Sequence, residues 1–149
     1  MGFWSRWRRV PASHALPDPY EHQFLEEKRE LLPIERDIIA LAITTLGSTE
    51  AREQATAQLE VATYGGLAHP GTDVCFMIDL PEGIHPIADT DGRLDLTVDP
   101  ALDGYLSIGV FIKRGLLDSV DLDSYEAGAG AKWPPLESIT PAPFGQASA

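Results

Sequence analysis

The sequence predicts an α+β fold: N-terminal helices packed on a mostly antiparallel meander of four to five strands. Three observations carry that expectation. Apolar residues recur at three- and four-residue spacing through the first third of the chain. After Gly65-Gly66 the period drops to two. The last two alternating stretches are joined by a glycine-containing connection of about three residues, which favours a hairpin. The chain has 149 residues, 44% hydrophobic and 23% charged, which suits one globular domain.

Each element has its own local reason. Asp18-Pro19 is a helix-start pair, so a first helix is expected over Tyr20–Leu32, ended by Pro33. A second helix is expected over Ile34–Leu46, with Ile34, Ile38, Leu41, Ala42 and Thr45 on one face and Gly47 as its C-cap. Ser48 is an N-cap for a third helix, with Glu50 and Glu53 in its first turn where the helix dipole favours them. Its end is open, because Leu59–Tyr64 also reads as an alternating strand. Val74–Ile78 is a short apolar run with the character of a buried strand. Leu94, Leu96 and Val98 alternate with Asp95, Thr97 and Asp99, a strand with one wet face. Tyr105–Ile112 and Leu117–Tyr125 form the hairpin around Lys113-Arg114-Gly115.

Three regions follow: a basic aromatic arm and Pro-rich linker at 1–19, one α+β domain at 20–139, and a flexible tail at 140–149. Pro134–Ala149 holds four prolines and no charge after Glu137. The arm carries Phe3, Trp4 and Trp7 among Arg6, Arg8 and Arg9, with no acid before Asp18. Such a segment suits a partner surface or weak contact with an anionic membrane. It lacks the apolar core of a signal peptide, and no 18-residue apolar run exists. With a single cysteine, the expected location is the cytoplasm, peripheral to a membrane if the arm binds one.

The order Leu31-x-x-Ile34-Glu35-Arg36, then Gly104–Tyr125, then Trp133-Pro134-Pro135 resembles a group of small uncharacterised bacterial α+β proteins. The resemblance spans about residues 31–139 and rests on turn and strand residues. It implies the fold, and it transfers no activity and no catalytic residue.

Composition narrows function. The net charge is −12, from 23 acids against 11 bases, which argues against a general nucleic-acid binder. One cysteine excludes an internal disulfide framework and a cysteine-based zinc site. Asp89-x-Asp91-Gly92 begins like a calcium loop but has Val98 where the closing Glu would stand, so a turn is the simpler reading. Cys75 sits in an apolar strand and reads as inert. Ser107 and Ser119 lack a nucleophile-elbow context, and no phosphate-binding glycine pattern follows a strand. No catalytic residue, bound metal or cofactor is therefore expected.

The remaining feature is acidic. Residues 73–126 hold 12 acids and 3 bases. Asp121 and Asp123 stand two apart on one strand, and Asp95 and Asp99 stand at even spacing on another. The expectation is a partner-binding surface of Asp95, Asp99, Asp121 and Asp123 that steers a basic protein, as an immunity or inhibitor protein or an accessory subunit does. The alternative is a small metal-dependent hydrolase using His69 and His85 with Asp73 or Asp79. A homodimer is a further expectation, since short sheets need their edges covered.

Overall fold

The computed structural model describes residues 28–67, 75–102, 104–124 and 132–142. In chain order these form helix α1 (Pro33–Ile43), helix α2 (Thr49–Val61), strands β1 (Thr63–Leu67), β2 (Phe76–Asp79), β3 (Gly92–Val98), β4 (Tyr105–Lys113) and β5 (Leu116–Ser124), a single 3₁₀ turn (Leu136–Ser138) and β6 (Ile139–Pro141).

The α+β class is as expected. The strand count and helix boundaries differ. Residues 28–32, the end of the expected first helix, are not helical: Arg29 bridges Tyr64 through Tyr64 N–H donating to Arg29 O at 2.8 Å and Arg29 N–H donating to Tyr64 O at 3.4 Å. Residues 20–27 lie outside the described residues. Pro33 starts a helix instead of stopping one. It occupies the first helical position, where a missing N–H costs nothing. Leu32 ahead of it is extended, and its N–H donates to Glu35 Oε1 at 2.8 Å. α1 ends at Ile43, not Leu46, because the Thr44 and Thr45 hydroxyls donate back to Leu41 O and Ala42 O and close the last turn. Gly47 is therefore not its cap. Ser48 does cap α2, its Oγ accepting from Ala51 N–H at 3.0 Å.

Among the described residues the sheet has six strands in the order β1-β2-β5-β4-β3-β6, with every described pairing antiparallel. Only β3-β4-β5 is a meander. β2 joins beyond β5 and β6 joins beyond β3. β6 extends from Ile139 across the position where the sequence reading ends the body. β1 bulges between Tyr64 and Leu67, where Gly66 takes a φ of +112° that side chains avoid.

One face of the sheet makes the core. Tyr64, Phe76, Ile78, Leu94, Leu96, Val98, Ile108, Val110, Ile112, Val120, Leu122 and Ile139 are buried with Ile38, Ile39, Ala42 and Ile43 of α1 and Ala51, Ala55 and Leu59 of α2. The Tyr64 and Phe76 rings lie 5.2 Å apart, and Trp133 meets Phe76 edge-on at 6.0 Å. Two polar side chains are buried among them, and both are fully engaged. Glu35 takes two parallel bonds from the Arg29 guanidinium, each 2.9 Å, and that guanidinium lies 3.7 Å from the centre of the Tyr64 ring. Gln58 donates to His85 O and Gly115 O and accepts from Leu117 N–H, each at 2.9 Å. Among the described residues no helix is long and apolar enough to cross a membrane.

Candidate functional site: the outer face of the sheet

Both described helices pack on the core face, so residues of the opposite parity point away from them. Register places these outward residues in rows. Arg93, Phe111, Ser119 and Met77 form one row across β3, β4, β5 and β2. Asp95, Gly109 and Asp121 form the next, and Thr97, Ser107 and Asp123 a third.

Arg93 runs across these rows. Its Nε faces the Asp95 carboxylate at 2.5 Å, and its Nη2 donates to Asp123 Oδ2 at 3.0 Å and to Ser107 Oγ at 3.2 Å. The Ser107 hydroxyl also donates to Asp123 Oδ2, at 3.1 Å. The guanidinium carbon lies 5.5 Å from the centre of the Phe111 ring. Gly109 makes this possible. A Cβ there would overlap Arg93 Nε and lie 2.7 Å from Cζ, so the arginine can lie flat only over a glycine. Burial pulls the guanidinium pKa down, but the bond to Asp123 and the charges of Asp95 and Asp123 outweigh this and hold it above its ordinary value. The result is a fixed cation between two carboxylates, with 29% of its side chain open to solvent.

The four carboxylates singled out from the sequence are thus not one bare surface. Asp95 and Asp123 clamp Arg93, and Asp121 shares their face. Asp99 does not belong with them. β3 stops at Val98, and Asp99 serves the following turn: its Oδ1 accepts from Ala101 N–H at 2.9 Å and its N–H donates to Ser138 O. Arg93 is not among the residues the sequence pattern singles out, although it stands two residues before Asp95 and so shares its face.

A second polar region lies at the sheet end. A cleft of about 360 Å³ is lined by Ile87, Asp89, Thr90, Asp91, Arg114 and Gly115. Arg114 and Gly115 take φ of +55° and +77°, and Asp91 Oδ1 accepts from both of their N–H groups, at 2.5 and 3.4 Å. Asp91 is thereby a turn residue. Among the described residues no group of three or more His, Cys, Asp or Glu is placed to hold a metal. His85 is exposed, and Asp79 pairs with Lys28 at 2.9 Å. His69, Asp73 and the arm residues Phe3, Trp4, Arg6, Trp7, Arg8 and Arg9 lie outside the described residues.

Cys75 is 5% exposed, with its Sγ against Leu122, donating to the carbonyl at 3.7 Å and accepting from the N–H at 3.2 Å. Burial first, and then the Asp121 carboxylate, push its thiol up to about 12. A neutral buried thiol is a packing group, not a nucleophile. Compared with protein-family models, curated proteins and solved structures, the chain gives no match.

Proposed function

We propose that the protein is a non-catalytic binding module whose outer sheet face docks a basic protein partner, as an immunity or inhibitor protein or an accessory subunit would. The observation that carries this reading is the Arg93 clamp. Two carboxylates are held by Arg93 on a face that neither described helix covers, and a third, Asp121, stands in the same row as Asp95. Carboxylates fixed in this way lose little freedom on pairing with incoming lysines or arginines, which lowers the cost of association. The partly exposed Arg93 side chain, beside the Phe111 ring, gives the surface a polar centre between its carboxylates.

The test is capture of partners by the tagged chain at low and high salt, beside an Asp95→Lys/Asp123→Lys variant. The expected result is a bound protein lost both at high salt and in the variant, because screening and charge reversal act on the same pairs. A partner retained under both conditions would overturn the reading.

A further inference from the structure

We draw no further inference here: the strongest candidate, the cleft at the sheet end where Asp89 and Asp91 stand beside Arg114, carries nothing, because it is an acidic pair in a turn, Asp91 is already spent on the N–H groups of Arg114 and Gly115, and no second observation points to a ligand there.

Discussion

At the scale of single residues, the outer face depends on a side chain that is absent. Gly109 lets Arg93 lie flat, and any Cβ must lift it. Gly109→Ala is expected to cost about 1–2 kcal/mol, in the range of overpacked sites, and to weaken partner capture as the clamp opens. Chemical denaturation and the capture assay read the two effects separately. Cys75 gives a second expectation. Its folded thiol is pushed to about 12 from an ordinary 9.0. Below 9 the thiol is neutral in both states. Between 9 and 12 the unfolded chain releases the proton while the folded chain keeps it, so the contribution to stability falls as pH rises through that window. Native protein should react negligibly with a thiol reagent at pH 8 and fully in denaturant. Cys75→Ala should flatten the alkaline fall. Rapid native labelling would contradict the burial.

At the scale of elements, Gln58 is the tie between layers. From α2 its amide holds the carbonyls of His85 and Gly115 and the N–H of Leu117, and one turn earlier Gln54 Oε1 accepts from Ala88 N–H at 2.7 Å. Gln58→Leu keeps the volume but leaves those backbone groups without partners, at an expected cost of about 3 kcal/mol by thermal or denaturant unfolding. A loss below about 1 kcal/mol would mean that water takes over the bonds. Nothing in the sequence marked Gln58, because a glutamine in an otherwise charged helix reads as a surface residue. The elements that were legible have strong local signals: the Ser48 cap, the wide apolar face of α1, and the alternation of β3 and β5. The misread ones have weak or double-edged signals. Proline ends a helix or begins one, and only the Arg29 fork to Glu35 and the bridge to Tyr64 show which happens at Pro33. Gly65-Gly66 hides β1 behind two poor strand formers. β6 has three residues, too few for any period to show.

At the scale of the whole molecule, charge that looked diffuse is sorted by the pleat. Strand parity was readable, so Asp121 and Asp123 could be assigned to one side from spacing alone. Strand order was not readable. Asp95 meets Asp123 through Arg93 only because β4 lies between β3 and β5, with Gly109 beneath the crossing. Asp99 shows the converse: even spacing kept it in the pattern after the strand itself had ended.

The strand order also sets a sequence of events in time. β3, β4 and β5 are consecutive in the chain and adjacent in space, so they assemble through short loop closures. β2 must find β5 by pairing Phe76 with Val120, and β6 must find β3 by pairing Ile139 with Val98; each closes a long loop for few bonds. The hairpin around Arg114-Gly115 is therefore expected to form in the folding transition state, and both flanks to add later. Truncations at Val110 or Val120 should slow refolding, while Ile139→Ala should mainly speed unfolding. Stopped-flow chevrons distinguish these outcomes, and a slower refolding limb for Ile139→Ala would place the edge strand in the nucleus instead.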